Sequence, residues 1–318
     1  DLFKGTSETV GTITSGGTES ILLAVKTYRD RANVSAPEIV APESVHVAFN
    51  RACDYFGVKM RRAKLDADYR VNCEHVRSLI NRNTIAIVGS APQYPQGVID
   101  PIEALAKIAL EKNVPLHVDA CVGGFLLPFL EMNGVKIPKW NFQVEGVTSI
   151  SADIHKYGFA PKGASVVMYK DMSYLKHQFF SYENWSGGIY ASPAMLGTKS
   201  GGSIAGAWAV LNRFGEDGYK GLARTTYETT QKFLNGIRAI PGMEILGQPD
   251  MSVFAYRSND PKVNTYAVGD EMDRRGWMID KQQKPECLHA MITPVHEQSV
   301  DLFLKDLAES VAHVRAHP

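Results

Sequence analysis

The sequence predicts an α/β protein with a mostly parallel sheet, and three observations carry this prediction. From about residue 11 to residue 170, short apolar runs alternate with amphipathic stretches, the pattern of strands joined by crossover helices. Most predicted strands are continuously apolar, as buried parallel strands are. After Gly201 long helical stretches precede a smaller set of strands and helices. We therefore expect a large domain at residues 1–218 and a small C-terminal α+β domain at residues 219–318, which includes a bridging helix.

The elements of the large domain follow in order from these patterns. Strands are predicted at residues 38–41, 59–64, 84–90, 115–119, 147–152 and 164–169. Helices are predicted at residues 18–32, 46–56, 74–81 and 101–111. The last of these helices opens with Asp100 and Pro101, a good capping residue followed by a first-turn proline.

The C-terminal part begins with two helical stretches at residues 204–214 and 219–240, separated by Gly215 and Gly218. Strands are then predicted at residues 243–246, 252–256, 276–280 and 288–294, and helices at residues 266–275 and 299–316. We expect these helices to cover one face of the strands.

Composition excludes several classes of function. Thirty-four basic residues balance thirty-four acidic ones, so no net field attracts nucleic acid or an anionic membrane. No apolar stretch approaches the ~20 residues that span a bilayer, and no leader resembles a signal peptide. We expect a cytoplasmic protein with no membrane span in this chain and no nucleic-acid partner. Because the chain begins with Asp1 and not Met, we expect further sequence upstream.

The cysteines give no pattern of a metal or disulfide site. Cys53, Cys73, Cys121 and Cys287 are widely separated, with no CxxC pair and no matching histidine spacing. We expect reduced intracellular thiols and no bound metal.

Three segments contain residues that can bind a cofactor or take part in catalysis. Residues 14–20 (TSGGTES) form a turn that opens into a helix, where glycines and free N–H groups can hold a phosphate. Asp119 ends one buried strand, and Lys156 lies just past another, thirty-seven residues later. Taken alone, each has an ordinary alternative, namely a capped helix start, a capping acid and a surface lysine. Taken together, they supply a phosphate anchor, a partner for a pyridinium nitrogen and a Schiff-base lysine, as pyridoxal phosphate requires.

These segments resemble a known family. Residues 14–20, 46–49 (HVAF), 117–120 (HVDA) and 153–158 (DIHKYG) are similar to the fold type I pyridoxal-phosphate enzymes of the group II decarboxylase family. Residues 93–102 (QYPQGVIDPI) and 155–163 (HKYGFAPKG) are most similar to the branch of this family that cleaves phosphorylated sphingoid bases. The resemblance is specific from about residue 11 to residue 214. It implies the pyridoxal-phosphate-dependent transferase-like fold, pyridoxal 5'-phosphate as cofactor, and a homodimer with shared active sites.

The resemblance also implies roles for individual residues. It assigns the covalent bond with the cofactor to Lys156, the pyridine nitrogen to Asp119, and a stacking position over the ring to His46. Gly17, Thr18 and His155 would contact the cofactor phosphate.

A second set of roles concerns the neighbouring subunit and the substrate. The resemblance places Gly201 and Gly202 at the phosphate of the partner's cofactor, although Lys199 and Ser200 stand where the family usually has arginine and proline. Lys162 would supply a cation for a substrate phosphate and Tyr94 a phenol near the reacting carbon. A solvated loop lysine and a packing tyrosine remain the alternatives.

The function that follows is a retro-aldol cleavage of a phosphorylated sphingoid base into a long-chain aldehyde and phosphoethanolamine. The general base stays open. Two rivals also stay open: an amino-acid decarboxylase on the same scaffold, and a non-catalytic binding protein that keeps the fold.

Overall fold

A central sheet organises the larger of two units in the computed structural model, which describes residues 2–317. Its strands are β1 (Val10–Thr14), β2 (Glu38–Pro42), β3 (Lys59–Ala63), β4 (Thr84–Ser90), β5 (Leu116–Asp119), β6 (Val147–Ala152) and β7 (Ser165–Tyr169). Their order is β1-β7-β6-β5-β4-β2-β3. The larger unit contains the N-terminal segment through Asp66, Arg70–Gln93 and Ile99–Glu216.

Strand direction decides where functional side chains gather. Strands β2 to β6 are parallel, whereas β7 is antiparallel to both β6 and β1. Strand β1 therefore runs in the direction of β6, and the carboxyl ends of β1, β2, β5 and β6 lie at one edge. The predicted mostly parallel sheet is confirmed.

Helices connect and cover these strands. They are α1 (Gly17–Ala32), α2 (Ala48–Phe56), α3 (Cys73–Leu79), α4 (Ile102–Lys112), α5 (Leu127–Met132) and α6 (Met172–Leu175), followed by a hairpin of β8 (Phe180–Tyr182) and β9 (Tyr190–Ser192). Helices α1 and α2 pack on one another, and their apolar faces share a buried cluster with Ile39, Val88 and Tyr169.

Helix α7 (Gly201–Ala239) is interrupted at Gly215, where φ is 59° and ψ is −171°. This is the break predicted there, and glycine permits it because it lacks a Cβ atom. Gly218, the second predicted break, lies within the helix.

The smaller unit contains Ala67–Tyr69, Tyr94–Val98 and the chain from Asp217. Its antiparallel sheet has the order β10-β11-β13-β12, with β10 (Met243–Ile245), β11 (Val253–Ser258), β12 (Asp280–Gln283) and β13 (Glu286–Met291). Helices α8 (Thr265–Arg274) and α9 (Val300–Ala316) pack together, and a short 3-10 turn (Pro294–Gln298) precedes α9. The apolar core of this unit includes Phe254, Tyr256 and Phe303.

Some predicted elements are wrong. The strand expected at residues 276–280 begins only at Asp280, because Gly276 has φ of 91° in the turn after α8. Trp277 and Ile279 pack against the core from this irregular segment, which produces a strand-like alternation. Strand β1, helices α5 and α6, and the β8–β9 hairpin were not predicted. Within residues 2–317 no helix is both long and apolar enough to cross a bilayer.

Candidate active site

Four loop segments at the carboxyl edge of the central sheet bring polar side chains together. The β1–α1 loop supplies the glycine-rich turn, and the β2–α2 loop supplies His46. Asp119 is the last residue of β5, and Lys156 follows four residues after the end of β6. Ligand groups of α/β sheets gather at this edge because parallel strands end there together.

Lys156 lies in a cavity of about 340 Å³. The same cavity is lined by Gly17, Thr18, His46 and His155, so the structure brings these five predicted residues together. The cavity belongs wholly to the larger unit. It is the place in this unit where the predicted phosphate turn and the predicted lysine meet.

An ion pair holds the lysine. Lys156 Nζ lies 3.0 Å from Asp153 Oδ2, and the Asp153 side chain is almost fully buried. Burial alone would lower the pKa of Lys156, but the nearby charge of Asp153, with smaller contributions from Cys121 and Asp119, raises this pKa above its ordinary value. The amine is therefore held as an ammonium group beside a carboxylate in the cofactor-free protein.

Burial also sets the protonation of two neighbours. The pKa of His155 is lowered, chiefly by burial, although Asp153 opposes that effect. His155 Nδ1 accepts a hydrogen bond from the Ala164 N–H at 3.3 Å, so Nε2 carries the proton and faces Asp153 at 3.6 Å. Burial, reinforced by Asp119 and Asp153, raises the pKa of the Cys121 thiol well above its ordinary value. Cys121 therefore lines the cavity as an uncharged thiol.

The glycine-rich turn is fixed by a buried carboxylate. Glu19 Oε2 accepts hydrogen bonds from the Ser15 N–H at 2.6 Å and from Ser15 Oγ at 2.7 Å, while Glu19 Oε1 accepts one from the Met195 N–H at 3.0 Å. Helix α1 begins at Gly17, so its unpaired N–H groups open toward the cavity.

Gly17 is required by space. A Cβ atom there would lie 2.8 Å from both carboxylate oxygens of Asp153 and 2.8 Å from Cys121 Sγ. Real Cβ atoms do not approach so closely, and both neighbours are buried. The helix start therefore sits directly against the floor of the cavity.

Asp119 is buried beside the cavity. Its Oδ1 accepts hydrogen bonds from the Cys121 N–H at 3.0 Å and from Ser151 Oγ at 3.2 Å. Within residues 2–317, Oδ2 makes no hydrogen bond. His46 is exposed at the cavity wall, and its Nδ1 accepts a hydrogen bond from the Ala48 N–H at 3.1 Å.

Other predicted residues lie outside the wall of this cavity. Lys162 is exposed, and its charge lowers the pKa of His155. Gly201 and Gly202 are exposed at the start of α7. Tyr94 belongs to the smaller unit, where its ring packs on His289 with centroids 4.4 Å apart.

Sequence reasoning missed Asp153, Cys121 and Glu19 as site residues. Asp153 stands in the motif that contains Lys156, and Cys121 stands two residues after Asp119. An acid three residues before a predicted Schiff-base lysine was therefore a recognisable signal. Nothing in the sequence marks Glu19 as the clamp of the turn, because its bond to the Met195 N–H joins residues 176 positions apart.

The residues present fit a phosphate-bearing cofactor that reacts with an amine. Asp153 Oδ1 is buried and has no hydrogen-bond partner among the described residues, so it can accept a hydrogen bond from a polar group bound beside Lys156. The helix start at Gly17 offers N–H donors for a phosphate, and Asp119 Oδ2 remains open for a protonated ring nitrogen. Fold and site together define an α/β protein of the class that carries its cofactor on a lysine.

Comparison with known proteins gives the family. Residues 2–259 match the model of the pyridoxal-dependent decarboxylase conserved domain, so the chain belongs to this family, and its cofactor is pyridoxal 5'-phosphate. Over 312 residues it is 45% identical to a sphingosine-1-phosphate lyase of Arabidopsis thaliana, covering 97% of this chain and 57% of that protein. The chain spans a little over half the length of the curated relatives it matches.

Solved structures agree with this placement. A sphingosine-1-phosphate lyase of Burkholderia pseudomallei is 42% identical, with a TM-score of 0.94 that covers 97% of this chain and 71% of that one. A glutamate decarboxylase of Lactobacillus brevis is 24% identical, with a TM-score of 0.86 over 99% of this chain and 77% of that one, and this shows the fold alone. The predicted fold type I class is confirmed.

Proposed function

We propose that this chain carries the cofactor-binding part of a lyase that cleaves phosphorylated sphingoid bases into a long-chain aldehyde and phosphoethanolamine. The observation that carries the proposal is the cavity in which buried Asp153 holds Lys156 at 3.0 Å beside the start of α1. Its choice of substrate class draws on the relatives, which are named sphingosine-1-phosphate lyases at 45% and 42% identity. The decarboxylase alternative draws on the family model and on the fold of a glutamate decarboxylase at 24% identity, whereas the relatives at 40% identity or more are named lyases.

In this proposal each group of the cavity has a stated task. Lys156 holds the cofactor covalently, and the N–H groups at Gly17 and Thr18, together with His155, bind its phosphate. Asp119 Oδ2 keeps a proton on the ring nitrogen, and His46 covers the ring. When bound, the cofactor supplies a ring that withdraws electrons from the substrate carbon that bears the amine.

The reaction breaks one carbon–carbon bond without an external oxidant or reductant. The C3 hydroxyl loses its proton, and the bond from C3 to the amine-bearing carbon breaks. C3 becomes the aldehyde, while the electron pair stays with the amine-bearing carbon, which then takes up a proton. Lys162 is proposed to bind the substrate phosphate, and Tyr94 to lie near C3. The exposed charge of Lys162 and its effect on His155 support the first assignment.

We also propose a cytoplasmic homodimer. The four cysteines are free thiols, which fits a reducing compartment. Large apolar side chains are exposed on and beside the β8–β9 hairpin, among them Phe180, Trp185 and Ile189, and such a patch fits a second copy of the chain. Gly201 and Gly202, exposed nearby in sequence, are proposed to complete the partner's phosphate site.

A product assay tests the proposed activity. The cofactor-loaded protein is incubated with a phosphorylated sphingoid base and, separately, with glutamate, and both aldehyde and carbon dioxide are measured. We expect long-chain aldehyde from the first substrate and none from a Lys156→Ala variant. Carbon dioxide from glutamate with no aldehyde would establish the decarboxylase instead. Neither product from a protein that binds no cofactor would establish a binding protein that only keeps the fold.

A further inference from the structure

A buried row of hydrogen-bonded side chains leads through the sheet to Asp119. Tyr28 Oη lies 2.5 Å from Ser149 Oγ, and Ser149 Oγ lies 2.6 Å from His117 Nδ1. On the other side of the ring, His117 Nε2 lies 3.2 Å from Ser151 Oγ, which lies 3.2 Å from Asp119 Oδ1. The row therefore joins helix α1 to the end of β5 through β6.

The histidine in this row is neutral and sealed from water. His117 is 1% exposed, and both serines are fully buried. Burial lowers the pKa of His117 to about 4, while the charge of Asp119 opposes that effect. A neutral imidazole has one N–H to donate and one nitrogen to accept, so its two serine contacts must have opposite directions.

The carboxylate at the end of the row fixes the direction. The Ser151 hydroxyl donates its only proton to the charged Asp119, because hydrogen bonds to charged acceptors are the stronger ones. Ser151 Oγ must then accept from His117, so His117 carries its proton on Nε2. Nδ1 becomes an acceptor for the Ser149 hydroxyl. Tyr28 Oη, at the far end of the row, lies within hydrogen-bond distance of both Ser149 Oγ and Thr148 Oγ1.

The reverse direction is costly. With the proton on Nδ1, His117 Nε2 would accept the Ser151 proton, and Asp119 would lose a donor in a buried place. Among residues 2–317, Oδ1 would then keep only the Cys121 N–H as a donor, and the bond that is lost is one to a charged acceptor, which is the stronger kind. With the proton on Nε2, the Ser149, His117 and Ser151 donors all point toward the carboxylate, and such aligned bonds polarise one another.

We propose that His117 and Ser151 are positioning residues, which hold Asp119 Oδ1 by a one-way row of donors so that Oδ2 is presented to the ring nitrogen of the cofactor. The proposal rests on the proposed role of Asp119 in the site. Both residues act through Asp119, and neither touches the reacting atoms.

The first test reads the tautomer of His117 directly, in cofactor-free protein labelled with ¹⁵N-histidine. The His117 signals are assigned by their absence in a His117→Gln variant. We expect a neutral ring with a protonated Nε2 and a bare Nδ1 at pH 7. A proton on Nδ1 would overturn the proposal, whatever the activity of the protein proves to be.

The second test uses a matched pair of variants with cofactor bound. His117→Gln places its amide near the Nε2 position and can still donate to Ser151, whereas His117→Asn places it near Nδ1. We expect His117→Asn and Ser151→Ala to lose about tenfold in kcat, as expected for a lost bond to a charged group, with little change in KM. We expect a smaller loss of kcat in His117→Gln.

The visible absorbance of the bound cofactor gives a readout that does not depend on substrate. Its pH midpoint should shift in His117→Asn and Ser151→Ala, and less in His117→Gln. Equal behaviour of the Gln and Asn variants in both kcat and midpoint would overturn the proposal. If the protein binds its cofactor but makes no aldehyde, the proposed substrate fails while the midpoints and the tautomer still decide the role of His117.

Discussion

The acid–lysine contact in the cavity is the central feature at the residue scale. Asp153 holds Lys156 at 3.0 Å, and its charge keeps the pKa of the amine high despite burial. A neutral amine is needed to attack an aldehyde. Asp153 therefore both orders the amine and limits how much of it is reactive at neutral pH.

Replacing Asp153 should make the amine easier to deprotonate. In Asp153→Asn the loss of a neighbouring negative charge should shift the pH profile of cofactor capture by the cofactor-free protein to lower pH by about one unit. The rate of appearance of cofactor absorbance measures this profile. Asp171→Asn is the control, because Asp171 caps α6 by accepting from the Ser173 N–H and asparagine can do the same. An unshifted profile in Asp153→Asn would contradict the electrostatic account.

Helix α1 shows, at the scale of one element, that the space available and not helix propensity determines which residue can begin the helix. Gly17 opens the helix, and a Cβ atom there would collide with Asp153 and Cys121. Elsewhere in a helix, alanine in place of glycine usually stabilises.

A pair of glycine substitutions separates these two effects. Gly17→Ala should weaken cofactor binding by tenfold or more, because the floor of the cavity must shift to make room. Gly221→Ala in α7 meets no atom within 4 Å and should raise stability by about 0.5–1 kcal/mol. Cofactor titration and thermal unfolding measure the two results. Equal cofactor affinity in both variants would show that the contact at Gly17 is unimportant.

Some strands and site residues could be predicted from the sequence, and others could not. Buried parallel strands such as β4 and β5 were predicted within a residue of their bounds, because continuous apolar runs between turn signals have few alternatives. Strand β1 was missed because this edge strand is only partly buried, so it lacks a continuous apolar run. Five residues that line the cavity could also be predicted, because they lie at strand ends and in local motifs that resemble the family. They are Gly17, Thr18, His46, His155 and Lys156.

Other parts of the site could not be predicted because they depend on distant segments meeting. The bond from the Met195 N–H to Glu19 and the row from Tyr28 to Asp119 join residues far apart in the chain. No periodicity encodes such contacts. The roles assigned to Tyr94, Lys162, Gly201 and Gly202, and the domain boundary after residue 218, stay predictions.

Folding stability, at the scale of the whole molecule, should depend on the protonation of His117. Its folded pKa of about 4 lies below the unfolded value of 6.5, so the unfolded chain binds more protons between these two pH values. Stability is therefore lost as the pH falls from 6.5 toward 4, by about 3 kcal/mol in all for this group.

A variant comparison isolates this contribution. The difference in unfolding free energy between wild type and His117→Gln should change steadily from pH 7 to pH 4, because glutamine does not titrate. Urea unfolding at a series of pH values provides the measurement. A difference that stays constant over this range would contradict a neutral buried histidine.

Association of two chains is the second prediction at this scale. Ile189 is 82% exposed in the β8–β9 hairpin, and Met278 is 98% exposed in the smaller unit, so they form a matched pair of exposed apolar residues. Ile189→Asp should weaken dimerisation by tenfold or more, and Met278→Asp should leave it unchanged. Sedimentation at several concentrations distinguishes them. A monomer at every concentration, or equal weakening by both changes, would contradict the proposed interface.

The most direct test of the account is the covalent bond between cofactor and protein. Protein loaded with pyridoxal 5'-phosphate is reduced with borohydride and digested, and the modified lysine is identified by mass spectrometry. We expect modification at Lys156, with Lys162 unmodified in the same digest. A cofactor bound at another lysine, or reduction that leaves Lys156 free in a loaded protein, would contradict it.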